Sequence, residues 1–161
     1  MGYTLTRSEF DQVLEGLSEK YRLYAPVLKK GQGRFTDTDV VIYDFVYSSS
    51  EIEFEKKSDY SFKEILTPLS QTLFFFTENV IKEADIDDSE AIVFLRSCDM
   101  HALKRLDQIY LHNGSHVDSF YKKIRDKLHF VLIGCTSSFQ DCFCVSMGTN
   151  RTEDGYLFSV N

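Results

Sequence analysis

The sequence predicts an α/β (or α+β) domain whose mixed sheet has a parallel β-α-β core near the carboxyl end. Two apolar runs, AIVFL at residues 91–95 and FVLIG at residues 130–134, have the length and composition of strands buried on both faces of a sheet. A strand, a helix and a second strand in this order predict a right-handed parallel crossover. The helix is indicated by an apolar stripe at helical spacing between the two runs: Ala102, Leu103, Leu106, Ile109 and Tyr110.

The first half of the chain predicts an antiparallel hairpin. Residues 21–28 are expected to be extended, and residues 29–34 (KKGQGR) to form a glycine-bearing hairpin turn. Residues 39–47 (DVVIYDFVY) and 51–55 (EIEFE) both have strand character. These last two segments are expected to pair antiparallel across the three serines that join them.

Two helices are also predicted in the first half, each from its start signal. One is expected to begin at Ser8, which can cap free amides while Asp11 takes the capping-box position. The other is expected to begin at Thr67, with Pro68 as its first helical residue. The phenylalanines at residues 74–76 would then lie mainly in the core.

The remaining connections are expected to be simple. Residues 82–90 form an acidic connector to the first buried strand. Residues 118–127 are expected to form a further helix, capped by Asp118, that returns the chain to the second buried strand of the sheet. Residues 151–161 are expected to be peripheral.

All four cysteines lie at or after the ends of the two buried strands. Cys98 and Cys135 follow the strands themselves, so the parallel crossover should bring them to one edge of the sheet, where sites of α/β proteins form. Cys142 and Cys144 complete a C-x6-C-x-C pattern, and an extended backbone would point both of their sulfurs to one side. Four convergent thiolates would suit zinc or a 4Fe-4S cluster. Four buried free thiols are the alternative, because cysteine is a common core residue.

Four neighbouring residues are candidates for a supporting role around these cysteines. Arg96 could stabilise thiolate charge, or form a salt bridge at the sheet edge. Asp99 follows Cys98 directly, and His101 is spaced as C-x2-H from it, which favours a supporting role or a helix-start role. Ser146 lies in a small-residue loop whose amides could hydrogen-bond to cluster sulfurs.

Composition limits the class of protein. The chain of 161 residues suits one domain, and its hydrophobic content of 43% is that of a globular protein. A formal net charge of −7 disfavours nucleic acid and anionic membranes as partners. The amino terminus lacks the apolar core of a signal peptide, which predicts a cytoplasmic protein. The absence of a nucleophile elbow and of a phosphate-binding loop weakens the case for an enzyme, and activity of the domain alone is left open.

Long parts of the chain resemble a known family. The resemblance rests on LRSCDMHALKRLDQIYL, FYKKIRDKLHFVLIGC and CFCVSMGTN, and upstream on YRLYAPVLKKGQGRFTDTDVV and EIEFEKKSDYSFKEILTPLSQTLFFFTE. These segments resemble the amino-terminal domain of the iron-sulfur subunit of anaerobic sulfite reductase. The wider family includes the iron-sulfur beta subunits of sulfhydrogenase-type nickel-iron hydrogenases. In this family a ferredoxin-like region with two cluster motifs follows, and residues 1–161 resemble the part that precedes it.

The resemblance implies an electron-transfer subunit that does no bond chemistry on sulfite itself. Electrons would pass from a flavin-binding, NADH-linked subunit through iron-sulfur clusters to a sirohaem subunit that reduces sulfite to sulfide. By the same resemblance, the residues expected to bind a 4Fe-4S cluster are Cys98, Cys135, Cys142 and Cys144. A zinc-stabilised interaction domain without a redox role is the alternative, and a fragment purified in oxygen would hold zinc or no metal.

Overall fold

The computed structural model describes residues 3–35, 37–85, 87 and 89–161, and within them it confirms the mixed α/β architecture. A five-stranded sheet has the strand order β2-β1-β5-β6-β7, and β3 and β4 form a separate two-stranded sheet. The strands are β1 (Arg22–Lys29), β2 (Val40–Phe45), β3 (Phe74–Phe76), β4 (Ile81–Glu83), β5 (Ala91–Arg96), β6 (Leu128–Ile133) and β7 (Ser159–Val160). The helices are α1 (Arg7–Ser18), α2 (Lys63–Leu66), α3 (Ser97–Leu111) and α4 (Ser119–Arg125), with a short 3-10 helix at Ser49–Glu51.

The predicted parallel core is confirmed. Strands β5 and β6 pair in parallel from Ala91 opposite Leu128 to Arg96 opposite Ile133, and every residue of β5 is buried. Helices α3 and α4 form the crossover between the two strands, and Asp118 caps α4 by accepting a hydrogen bond from the Tyr121 amide at 2.8 Å. Continuous burial explains why β5 is an unbroken apolar run.

The antiparallel hairpin is confirmed, but its second predicted pairing is wrong. Strands β1 and β2 pair antiparallel, and β1 also pairs in parallel with β5. Residues 51–55 do not form a strand beside β2. Ser48 is instead the cap of the 3-10 helix, and Ser49 and Ser50 are its first residues. Ser48 and Glu51 form a reciprocal capping box at the start of this helix. Ile52 makes one isolated bridge, and its partner is Val27 of β1.

Helix α1 is capped by Thr6, two residues before the predicted cap Ser8. Thr6 accepts a hydrogen bond from the Glu9 amide at 3.3 Å, and the Glu9 carboxylate accepts one from the Thr6 amide at 2.7 Å. Ser8 is therefore inside the helix. Asp11 has a tertiary role, because its carboxylate accepts a hydrogen bond from the amide of Ser49 at 2.7 Å, and this hydrogen bond lowers the pKa of Asp11.

The prediction of a helix that begins at Thr67 is wrong. Helix α2 ends before it, at Leu66, and Thr67 has φ −132° and ψ 80°. The ring of Pro68 disfavours a helical conformation at the residue before it, which accounts for this boundary. The three phenylalanines of β3 are 53%, 61% and 74% exposed in the hairpin with β4, so they are not core residues. Strand β4 occupies the start of the predicted acidic connector, in which Ile86 and Asp88 lie outside the described residues.

The last residues of the chain belong to the main sheet, contrary to the expectation that they are peripheral. Strand β7 pairs in parallel with β6, with Ser159 opposite Leu132. Gly134 permits this close approach, because a Cβ at that position would collide with the side chain of Asn161. The end of β6 therefore lies beside β7, and Cys135 follows immediately after Gly134.

The sheet separates two apolar cores. On one face, α1 contributes Leu14 to a cluster that contains Ile92, Phe94, Val131 and Ile133. On the other face, α2, α3 and α4 cover a cluster whose buried members are Phe62, Leu66, Ala91, Val93, Leu95, Met100, Leu103, Tyr121, Leu128 and Phe130. Among the described residues, no helix is long and apolar enough to cross a membrane.

Candidate metal centre

Cys98 lies where the topology predicted it, at the carboxyl edge of β5. The strand ends at Arg96 and α3 begins at Ser97, so Cys98 is in the first turn of the helix. Burial of its sulfur, with smaller contributions from the nearby Asp99, Cys135 and Cys144, raises the pKa of Cys98 to about 11. The two other cysteines are thus close enough to interact electrostatically with Cys98.

Cys135 lies at the same edge of the sheet, two residues after β6 ends. The Arg96 Nη1 donates a hydrogen bond to Cys135 Sγ at 3.3 Å. Because β5 and β6 are neighbours in parallel register, the last residue of β5 and the loop after β6 must meet here. The prediction that topology brings Cys98 and Cys135 to one edge is confirmed.

Cys142 and Cys144 lie in a compact loop, and the predicted extended backbone for this segment is wrong. Asp141 has φ 63°, and the Met147 amide donates to the Phe143 carbonyl at 3.1 Å, so the chain turns back on itself. The Thr149 amide donates to the carbonyl of Cys144 at 2.8 Å. Asp141 lies in a preceding turn, in which the Cys142 amide donates to the Phe139 carbonyl at 3.2 Å, and aspartate tolerates this left-handed conformation better than most residues.

The loop is attached to the start of α3. The Ser97 hydroxyl donates to the Thr149 carbonyl at 3.0 Å, and His101 Nε2 is hydrogen-bonded to the Arg151 carbonyl at 2.8 Å. These contacts bring the segment that carries Cys144 to the helix turn that carries Cys98. His101 therefore contacts the backbone that follows the loop, and Ser146 is exposed within the turn; their supporting roles stay predictions.

Asp99 is largely buried beside Cys98 and contacts Tyr43. The hydroxyl of Tyr43 donates to its carboxylate at 3.3 Å, and burial raises the pKa of Asp99. Burial also raises the pKa of Tyr43 well above its usual value, with the Asp99 charge as the next cause.

The charges of Cys135 and Cys144 both act on the thiol of Cys98, and Cys142 lies two residues before Cys144. Cys98, Cys135 and Cys142 are exposed and Cys144 is half-buried, so the four thiols are not core residues. Within residues 3–35, 37–85, 87 and 89–161, no three histidine, cysteine or acidic side chains are close enough to hold one metal ion. The donor chemistry nevertheless fits a soft metal, since the groups collected here are sulfurs beside a buried cation.

Sequence reasoning missed two features of this edge. The ring of Phe139 lies against the guanidinium of Arg96, with 4.6 Å from its centroid to the guanidinium carbon. Three apolar side chains of the loop are exposed around the cysteines: Phe143, Val145 and Met147. An alternation of apolar residues with cysteines in CFCVSM was the available signal for the second feature, whereas no local pattern indicates the first.

The fold and this edge define an α/β domain whose paired parallel strands present a group of cysteines beside a buried arginine. The chain is 31% identical over 163 residues to sulfhydrogenase 2 subunit beta of Pyrococcus furiosus. The match covers 97% of this chain and 44% of the relative, so the chain spans less than half the relative's length. This similarity supports the wider group of sulfhydrogenase-type beta subunits and does not distinguish sulfite reductase within it.

No family model matches the chain. No solved structure matches it either.

Proposed function

We propose that this chain is a domain of an iron-sulfur electron-transfer subunit, in which Cys98, Cys135, Cys142 and Cys144 bind one 4Fe-4S cluster. The observation that carries the proposal is that Cys98 and Cys135 follow two paired parallel strands at their carboxyl edge, while the Ser97 hydroxyl donates to the Thr149 carbonyl and so ties the loop of Cys142 and Cys144 to the same edge. The similarity of nearly the whole chain to a sulfhydrogenase beta subunit supports the same interpretation. Four cysteine thiolates are the usual ligand set of such a cluster.

The four cysteines would be held in two different ways. Cys98 and Cys135 start from the ends of buried strands, so the main sheet fixes where they lie. The loop with Cys142 and Cys144 is attached to α3 at its far end, in the described part of the chain, by the hydrogen bonds of Ser97 with Thr149 and of His101 with Arg151. We expect this loop to adjust and bring the two sulfurs in. A bound cluster would supply the ability to take up and release one electron at a time. Backbone amides of the loop would donate hydrogen bonds to sulfur.

The finer assignment follows the resemblance to the iron-sulfur subunit of anaerobic sulfite reductase. In it, the domain belongs to the amino-terminal part of a longer cytoplasmic subunit, and residues 1–161 act as one domain. Its partners are a flavin-binding subunit that supplies electrons and a sirohaem subunit that reduces sulfite. The formal net charge of −7 favours a partner with a basic face, because complementary charge steers association.

Metal analysis of the chain purified without oxygen tests the proposal. We expect a brown protein with about four irons and about four sulfides per chain, as a 4Fe-4S cluster requires. A colourless protein with one zinc per chain would contradict the redox role and favour the zinc-stabilised domain, which uses the same four thiolates. A protein that stays metal-free even after incubation with iron and sulfide would show that the four cysteines do not form a metal site.

A further inference from the structure

Arg96 is a charged side chain in the interior of the domain, at the last position of β5. It is only 5% exposed. Its Nη2 donates to two backbone carbonyls, those of Phe54 at 2.9 Å and Lys56 at 3.1 Å. Its Nη1 donates to Cys135 Sγ at 3.3 Å, and its face lies against the ring of Phe139. The guanidinium of Arg96 thus connects β5 to two segments that are distant from it in sequence, residues 54–56 and residues 135–139.

The charge of Arg96 has an unusual set of partners. Buried charges in proteins are normally paired with an opposite charge, because desolvation is costly. In the part of the chain that the structure describes, no carboxylate oxygen lies within ion-pair distance of Arg96. The charge of Arg96 does act on the nearby Asp99, where it partly offsets the larger effect of burial, which raises the pKa of that carboxyl. The acceptors of Arg96 are two neutral carbonyls and one sulfur. The side of the guanidinium that faces Cys135 is therefore where a negative group would be stabilised.

Arg125 is an arginine of the same domain whose charge, unlike that of Arg96, is paired with a carboxylate. It also lies over a ring, 5.0 Å from the centroid of Phe130, but its charge is matched by Asp107 in a two-pronged ion pair at 2.9 and 3.1 Å. This pair joins α3 to α4, near the amino end of β6. Arg125 is thus a half-buried arginine of structural function at the end of β6 opposite to Cys135, and it provides a matched control.

We propose that Arg96 is a positioning residue of the candidate metal centre. The planar set of guanidinium N–H donors, the fork, holds the loop of residues 135–139 against residues 54–56. The fixed positive charge favours the reduced, more negative state of a cluster bound by the neighbouring thiolates. The second half of this proposal rests on the proposed function, and the first half does not require a metal. Reduction adds one electron from an external donor and changes no bond or proton on Arg96.

Two substitutions separate the charge from the fork. Arg96→Lys keeps a positive charge but replaces five planar donors by a point charge on a flexible stem. Arg96→Gln removes the charge and retains a planar amide donor. The fork is lost in both variants, whereas the charge is lost only in the second. Arg125→Gln removes a charge far from the cysteines.

The electrostatic half is tested by the reduction potential of the metal-loaded chain, titrated with dithionite and followed by visible absorption. We expect Arg96→Gln to lower the reduced-to-oxidised ratio at a fixed potential at least tenfold, a shift of about 59 mV for one electron. Arg96→Lys and Arg125→Gln should stay near the wild-type value. Equal shifts in the two Arg96 variants, or no shift in Arg96→Gln, would overturn this half.

The positioning half is tested on the metal-free chain by amide hydrogen exchange of a peptide that spans residues 135–149. Both Arg96 variants should exchange there at least tenfold faster than wild type, and Arg125→Gln should not. Unchanged exchange in the Arg96 variants would overturn this half. A wild-type chain that binds no iron would refute the proposed function and with it the electrostatic half, while hydrogen exchange would still decide the positioning half.

Discussion

Replacing Cys135 with serine is expected to reduce the iron bound by the chain from about four atoms to less than one. The sulfur of Cys135 accepts a hydrogen bond from the buried guanidinium of Arg96, and its charge acts on the thiol of Cys98, so Cys135 interacts with both groups of the candidate site. A serine hydroxyl is a hard ligand with a high pKa and is a poor substitute for a soft thiolate. Iron and sulfide analysis of the anaerobically purified variant measures the effect.

Ser138→Ala is the matched control for this substitution. It changes an exposed side chain three residues further along the same loop without removing a sulfur. This variant should retain the wild-type iron content. A Cys135→Ser chain that still holds about four irons would mean that Cys135 is not a ligand. Equal loss of iron in both variants would mean that the loop tolerates no change, and would leave no specific role for the sulfur.

Phe94→Ala is expected to destabilise the fold by about 3–5 kcal/mol. Phe94 is fully buried in the central strand β5, within the core that packs under α1. Truncation to alanine removes most of a large apolar side chain and leaves a cavity that a close-packed sheet cannot fill. Urea unfolding of the metal-free chain, followed by circular dichroism, gives the change in the free energy of unfolding.

Phe76→Ala is the control, because it makes the same chemical change in another strand. Phe76 is 74% exposed, so its loss should change the free energy of unfolding by less than about 0.5 kcal/mol. Equal effects of the two substitutions would contradict the placement of β3 outside the core. A small effect at Phe94 would contradict the central position of β5.

The parallel core could be predicted because its sequence carries a strong local signal. Residues 91–95 are apolar at every position, as a strand buried on both faces requires. The edge strand β7 contributes two residues only, and such a segment has no period to detect. Phe76 of β3 continues a helical spacing of apolar residues that begins at Ile65, which favoured a helix there, and the exposure of all three phenylalanines in a separate hairpin depends on tertiary placement rather than on propensity.

The candidate site was predictable in its location but not in its details. Topology alone places Cys98 and Cys135 at one edge, since both follow parallel strands. The compact loop of residues 139–149 combines a left-handed Asp141 with backbone turns that the C-x-C pattern does not reveal. The partners of Arg96 come from residues 54, 56 and 139, and no local pattern specifies contacts across so much of the chain.

The central claim is that this domain holds a redox-active cluster, and a reductive titration of the anaerobically purified chain tests it most directly. Stepwise addition of dithionite should bleach the visible absorption after about one electron per chain, and reoxidation should restore the absorption. A chain whose absorption does not change on reduction, or which holds zinc and consumes no electrons, would contradict the claim.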